Sequence, residues 1–331
     1  MYEIIKQINE TTFLALKQNL IFVLKKIGVE DTEIYRKLMT VNQENVIRIY
    51  ELTVIDNGFY AVCEYVHGKT INEILSLDGP LNDRFAKQIV FDICDGLEAV
   101  HSVGVIHRDI SPNNIMITDN GRAKIIDFGI SRIRKKQGSA DTQILGTEGF
   151  AAPEQYGFSQ TGRKSDIYSL GVLINYMTAG CLPKYKITNG IFSEIVIKCT
   201  QMDENQRFDS VQEIKYAVDK KFRFYNVIHT IPGFRNDVLW HKIIAAFYYL
   251  IVMLFFACAF IPTSKGIRGI IGNVIFVILG MLVPVFIIFD FNNWLEKIPF
   301  LKNKRKSEKT AFVIFLAAVI DFAAMLIFSL L

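Results

Sequence analysis

One stretch constrains this chain more than any other. Residues 107–117 read His-Arg-Asp-Ile-Ser-Pro-Asn-Asn-Ile-Met-Ile, and Lys124-Ile125-Ile126-Asp127-Phe128-Gly129 follows. Asn114–Ile117 and Lys124–Ile126 are short apolar runs of strand type. Asp119-Asn120-Gly121 between them is a strong hairpin signal, because Asn and Gly accept the positive φ such turns need. If the two runs pair, Asn114 and Asp127 come together as hard oxygen ligands, which suit Mg²⁺, a metal that also binds phosphates. Asp109 then stands free to accept a hydroxyl proton. Any fold assigned to the chain has to carry this hairpin and the loop before it.

The residues ahead of the loop alternate between apolar and polar, as half-exposed strands do. Tyr2–Ile8 and Thr12–Leu16 flank an Asn9-Glu10-Thr11 turn. Leu20–Ile27, Val46–Val54 and Phe59–Tyr65 are three more strands, the last two split by Asp56-Asn57-Gly58, and Val29–Leu38 reads as a helix. From Ile71 onward the spacing turns helical. Asn82 is an N-cap for a helix through Ala99 with Phe85, Ile89, Ile93 and Leu97 on its apolar face. Ser165–Met177 and Ser210–Val218 are further helices. A β-rich lobe followed by a mainly helical lobe, an α+β arrangement, is the expected architecture.

With these parts in order, residues 1–222 resemble the catalytic domain of eukaryotic-like (bacterial-type) Ser/Thr protein kinases. The resemblance implies a two-lobed fold with ATP and Mg²⁺ bound in the cleft. It implies that Lys25, in Phe22-Val23-Leu24-Lys25, grips the α- and β-phosphates, whereas adjacent Lys26 faces the other side of the sheet. Its helix partner should be a glutamate, Glu33 or the competing Glu30. Cys63 falls at the gatekeeper position, and Glu64 and Val66 offer backbone groups to adenine. Asp109 is implied as catalytic base, Arg108 as the partner of an activation-loop phosphate, and Asn114 and Asp127 as metal ligands. Gly146 to Glu154 resembles the Gly-Thr…Ala-Pro-Glu end of the activation segment. Thr147 should help position the substrate hydroxyl, Glu154 should pair with Arg207, and Asp166 should anchor the catalytic-loop backbone.

Three features depart from the family pattern. Residues 5–16 contain no glycine, and Asn9-Glu10-Thr11-Thr12 occupies the place of the phosphate-covering loop. Backbone amides approach phosphates less closely when Cβ atoms intervene. Ser111 stands where a lysine usually neutralises the transferring phosphate, which removes a cation from the transition state. The stretch from Asp166 to Arg207 is short. Three readings therefore remain open: an active kinase that phosphorylates Ser and Thr of protein substrates, itself included; an ATP-binding scaffold with weak or no transfer; and a small-molecule phosphotransferase of related fold, against which the Ala-Pro-Glu segment argues. Ser139 and Thr142, beside Arg134, Lys135 and Lys136, are the candidate regulatory phosphosites, and self-association would favour phosphorylation between molecules.

The C-terminal third changes character. Of the chain's 331 residues, 51% are hydrophobic, and its 26 Phe crowd toward the C-terminus. Runs at about 241–262, 267–289 and 311–331 each reach the roughly 20 residues that cross a bilayer. The expectation is an all-α transmembrane region of three helices in 241–331, joined to the kinase-like domain by a juxtamembrane linker, 223–240. Lys297, Lys302, Lys304, Arg305, Lys306 and Lys309 lie between the second and third runs, so that loop belongs inside, with the kinase domain. Met1–Glu10 shows no signal-peptide pattern, which agrees with a cytoplasmic first domain in a multi-pass cell-membrane protein. Asp321 in the third run would seek a polar contact or one interface.

The net charge of +4 and the absence of a dense basic helix with interleaved aromatics argue against nucleic-acid binding. The 5 Cys, at 63, 94, 181, 199 and 258, have no metal or redox spacing, as expected of reduced thiols.

Overall fold

The computed structural model describes residues 2–128, 147–156, 162–231, 233–234, 239–259, 266–288, 298–299 and 306–330. It forms two compact units, Met1–Lys221 and Phe222–Leu331.

The first unit begins with a five-stranded antiparallel sheet in the order β1-β2-β3-β5-β4. The strands are β1 Glu3–Gln7, β2 Thr12–Lys17, β3 Leu20–Ile27, β4 Ile49–Ile55 and β5 Gly58–Glu64. Register decides which lysine of β3 faces inward. Lys25 lies opposite Ala61 and Lys26 opposite Tyr60. Ala61 and Cys63 belong to the core cluster that also holds Tyr35, Leu38 and Phe128. Tyr60 belongs to the cluster on the other face, with Ala15, Leu24 and Val62. Strand alternation thus turns Lys25 to the interior face and leaves Lys26 exposed.

The helix expected at Val29–Leu38 begins later. Val29–Asp31 is a 3₁₀ turn, and α1 covers Thr32–Met39 with Tyr35 and Leu38 buried. The second sheet has the order β6-β7-β8, from β6 Gly68–Thr70, β7 Ile115–Thr118 and β8 Ala123–Ile125. Its hairpin closes through Gly121, whose N–H donates to Thr118 O at 2.8 Å and whose φ is +74°. Strand β6 escaped the sequence reading. It is marked by Gly68, where any Cβ would fall 2.1 Å from Ile117 O, so only glycine permits that pairing.

The rest of the unit is helical: α2 Ile71–Asp78, α3 Asp83–Ser102, α4 Arg163–Ala179, α5 Ser193–Cys199 and the first part of α6 Val211–Thr230, which continues into the second unit. Thr70 and Glu73 form a reciprocal capping box on α2. Asn82 Oδ1 accepts from Phe85 N at 2.9 Å and caps α3 as expected. The buried face of α3 includes Ala86 and Val90 along with Ile89, Ile93 and Leu97, whereas Phe85 is half-buried. Helix α6 runs twelve residues beyond the expected end at Val218, to Thr230.

The second unit comprises α7 Leu239–Ala259, α8 Ile267–Val277, a π-helical turn Ile278–Leu282, α9 Val283–Ile288 and α10 Lys306–Leu330. Lys242–Ala259 and Ile267–Val285 are long and apolar enough to cross a membrane. In α10 the described apolar stretch is shorter, Ala311–Ala324, and the Asp321 side chain lies outside the described residues. Tyr248 Oη of α7 donates to Met281 O at 2.6 Å, inside the π turn. A wider helical turn frees a carbonyl for such an outside partner. All five cysteines are free thiols.

Candidate active site

The loop before the hairpin is held from below by one carboxylate. Asp166, in the first turn of α4, is fully buried and accepts from His107 N at 2.9 Å, Arg108 N at 2.7 Å and His101 Nε2 at 2.7 Å. Burial alone would raise this carboxyl. The hydrogen bonds from His101 and from the His107 N–H help outweigh burial and leave it below the usual range. Arg108 adopts a left-handed φ of 67°, and its carbonyl accepts from Gln155 Nε2 at 2.8 Å. A non-glycine residue in that region is strained, and here the clamps on both sides of its peptide hold it.

That kink delivers Asp109, which is not free as the sequence suggested. Its Oδ1 accepts from Thr147 N and Thr147 Oγ1, both at 2.9 Å, and its Oδ2 accepts from Asn114 Nδ2 at 2.6 Å. The Thr147 hydroxyl makes the same contact a substrate hydroxyl would need. Asp109 N donates to His107 Nδ1 at 3.2 Å, which requires that nitrogen to be unprotonated. Burial pushes the His107 imidazolium down to about 4, so the ring is neutral. It packs against Phe128, with centroids 4.9 Å apart.

Asn114 sits at the base of β7. Its amide nitrogen is spent on Asp109, and no donor among the described residues reaches its Oδ1. Asp127, two residues past β8, pairs through Oδ1 with the Lys25 ammonium. Two oxygens that no described donor occupies, one amide and one carboxylate, suit a small hard cation that keeps its remaining positions for water and phosphate. Among the described residues no three His, Cys, Asp or Glu side chains form a metal cluster by themselves. The donor set thus fits Mg²⁺ shared with a nucleotide and not a cation caged by protein.

Glu33 is not brought to Lys25. It lies on the exposed face of α1, two positions from buried Tyr35, and Glu30 is exposed in the 3₁₀ turn. In this segment Asp31, buried at the start of α1, feels the Lys25 charge. Burial raises its carboxyl, and the Gly28 N–H and Lys25 oppose the rise. The late start of α1 rotates the glutamates outward. A reading based on spacing to glutamate had no reason to consider an aspartate.

At the back of the cleft Cys63 is buried, with its thiol pushed up to about 12 by burial. Glu64 Oε1 accepts from Arg48 N at 3.0 Å and Lys124 Nζ at 2.5 Å, and Glu64 N donates to Arg48 O at 2.9 Å. Its N–H is thus not open to a base. Val66 is half-buried and packs on the cluster that includes Cys63 and Phe128. Opposite, the β1–β2 turn is closed on itself. Ile8 N and Asn9 N both donate to Thr12 O, at 2.9 and 3.2 Å, and Asn9 Oδ1 accepts from Thr11 N at 3.0 Å. Ser111 is fully buried, and its hydroxyl has no partner among the described residues.

Glu154 and Arg207 form the buried pair expected, bidentate at 2.7 and 3.0 Å. Burial would raise the Glu154 carboxyl. Arg207 and the Ser165 hydroxyl reverse that and hold it low. Beside Thr147 lies a groove of about 450 Å³ lined by Gly149, Ala151, Tyr156, Val172, Leu182 and Met202, among others. The candidate phosphosites Ser139 and Thr142, with Arg134, Lys135 and Lys136, lie outside the described residues.

Residues 5–231 match the family description "Protein kinase domain". The chain belongs to the protein kinase family. Among curated relatives of this kinase is the serine/threonine-protein kinase PknB of Mycolicibacterium smegmatis, 40% identical over 124 residues, which are 37% of this chain and 20% of the relative. The serine/threonine-protein kinase PrkC of Bacillus subtilis is 34% identical over 145 residues, covering 44% of this chain and 22% of PrkC. A probable serine/threonine-protein kinase of Clostridium perfringens is 32% identical over 179 residues, covering 52% and 25%. The matched part therefore spans a quarter or less of each of these relatives.

Proposed function

We propose that the chain is a membrane-tethered Ser/Thr protein kinase that transfers the ATP γ-phosphate to protein hydroxyls. The observation that carries this reading is the convergence of the Lys25–Asp127 ion pair with the Asp109–Thr147 contact around one hairpin. Lys25 grips the α- and β-phosphates, and Asn114 Oδ1 and Asp127 hold the metal. When bound, Mg²⁺ neutralises charge on the phosphate oxygens. Asp109 orients the acceptor hydroxyl and takes its proton at a carboxylate oxygen. The Gly146–Glu154 segment, which resembles the activation-segment end of protein kinases, favours a protein over a small-molecule acceptor.

The test is label transfer from Mg-ATP by the full chain in detergent, to itself and to a generic protein substrate, against Asp127→Ala. Transfer that vanishes in the variant supports the kinase. ATP binding without transfer in either protein supports a nucleotide-binding scaffold, the reading that the closed β1–β2 turn and Ser111 favour.

The tether rests on the two membrane-length apolar helices and on the basic residues ahead of α10. An engineered cysteine at Ser264 should react with an impermeant reagent outside the cell, and one at Ser307 should not. The reverse pattern overturns the topology. Tethering raises local concentration, so phosphorylation of one copy by another at Ser139 or Thr142 is the expected regulatory step. Full activity of a Ser139→Ala/Thr142→Ala double variant would exclude it.

A further inference from the structure

The segment between α1 and β4 is sewn onto the metal-site hairpin. Asn45 is 1% exposed, and its Nδ2 donates to Ala123 O at 2.8 Å. Its own carbonyl accepts from Ile125 N, and Ile47 N donates to Ile125 O, both at 2.8 Å. Val46 and Ile125 thereby form a parallel bridge. Next to it, Glu44 pairs with Arg122 at 3.0 Å, and Arg122 forks onto buried Asp92 of α3. Strand β8 is thus held on one edge by β7 and on the other by residues 45–47, and it ends two residues before Asp127.

Helix α3 makes room for this arrangement. A Cβ on Gly96 would fall 2.9 Å from Asn45 O and 3.0 Å from Ile125 Cδ1, so the missing side chain lets both segments seat on the helix. The two ends of the clamp matter for the cleft. Residues 45–47 lead into β4, a strand of the sheet that carries Lys25, while β8 leads into Asp127. The clamp therefore fixes the height at which Asp127 meets Lys25.

We propose that Asn45 is a positioning residue for the Asp127 carboxylate, and that its side-chain amide sets the affinity of the site for a divalent cation. The proposal rests on the reading that Asp127 holds that cation. Removing the amide leaves the buried Ala123 carbonyl without its donor and loosens β8 just ahead of the ligand. Buried carbonyls keep a partner, so the strand shifts to find one. Groups that orient a ligand without touching the metal typically change metal affinity by about 10–100-fold when removed.

The experiment is a Mn²⁺ titration followed by electron paramagnetic resonance, on the ADP-loaded full chain in detergent. Asn45→Ala is expected to weaken Mn²⁺ binding about tenfold, with ADP affinity in the absence of metal unchanged. Asn175→Ala is the control for a merely structural loss. Asn175 is also a fully buried amide, whose Nδ2 serves Cys181 O and Lys186 O at 2.8 and 2.9 Å, far along the chain from the hairpin. It should lower the unfolding temperature and leave Mn²⁺ affinity at the wild-type value. If Asn45→Ala binds Mn²⁺ like wild type, or if Asn175→Ala weakens it equally, the assignment of Asn45 fails and the metal reading survives. If wild type binds no Mn²⁺ that Asp127→Asn abolishes, the metal reading itself fails. Should Asn45→Ala not fold, Asn45→Ser, whose hydroxyl is too short to reach Ala123 O, is read by the same criteria.

Discussion

The two sides of the nucleotide cleft are built to different standards. The lower side, from His107 to Asp127, is over-determined. Asp109 is held through both oxygens, Asp166 fixes two successive backbone amides, and β8 is paired on both edges. The upper side, the β1–β2 turn, is exposed and satisfies its own backbone through Asn9 and Thr12. The difference shows where this kinase keeps its catalytic means. The groups proposed to handle the proton, the metal and the acceptor are preorganised, whereas the turn that would cover the phosphates is bonded chiefly to itself.

The largest effect should come from the ion pair between Lys25 and Asp127. Lys25→Met and Asp127→Ala should each lower phosphoryl transfer by about 10³-fold, the scale of losing a preorganised charge at a transition state. Lys26→Met, on the other face of the strand, should keep most activity. Equal losses at positions 25 and 26 would break the register on which the comparison stands.

Below the cleft, Glu154→Ala leaves the Arg207 guanidinium buried without its carboxylate. The expected loss is about 3 kcal/mol in unfolding free energy, read from denaturation of the catalytic unit within the full chain. A loss below about 1 kcal/mol, the range of exposed pairs, would mean that the support beneath the lower side is not rigid.

His107 sharpens the same point through pH. Its folded pKa, about 4, lies below the unfolded value of 6.5, so the unfolded chain binds the proton first. Stability is therefore full above pH 6.5 and falls as pH drops toward 4. Asp31 and Asp83, whose carboxyls burial raises, act in the opposite sense at the acid end. The comparison of wild type with His107→Gln isolates the histidine: the variant should show a flatter profile between pH 6.5 and 4.

The smallest effect is expected on the upper side. Glu10→Gly removes an exposed negative charge from the turn and should lower the KM for ATP by roughly two- to fivefold, as weak surface electrostatics allow. A larger gain would show that the turn restrains the nucleotide more than its geometry suggests.

Much of this was legible in the sequence because its signals are local. Alternation assigned the strands and chose Lys25 over Lys26. Asp119-Asn120-Gly121 located the hairpin, Asn82 capped α3, and the apolar runs marked the helices of the second unit. The resemblance to the kinase family, and not a local pattern, anticipated Asp166 and the Glu154–Arg207 pair, whose partners lie 58 and 53 residues away.

Other features depend on how elements meet. Strand β6 is three residues long, too short for periodicity to show, and exists because Gly68 allows close pairing with β7. The acid near Lys25 turned out to be Asp31 and not Glu33, because a 3₁₀ turn delays α1 and rotates its faces. Asp109 was expected to be free, but Thr147, 38 residues away, occupies it. No chemistry was assigned to Asn45 from the sequence, and only the approach of α3 at Gly96 makes it a clamp on β8. Sequence alone determined which residues carry charge, metal affinity and strand or helix period, because those are properties of a residue and its near neighbours. Tertiary structure decided which of them touch, because a hydrogen bond over tens of residues depends on packing that no local pattern encodes.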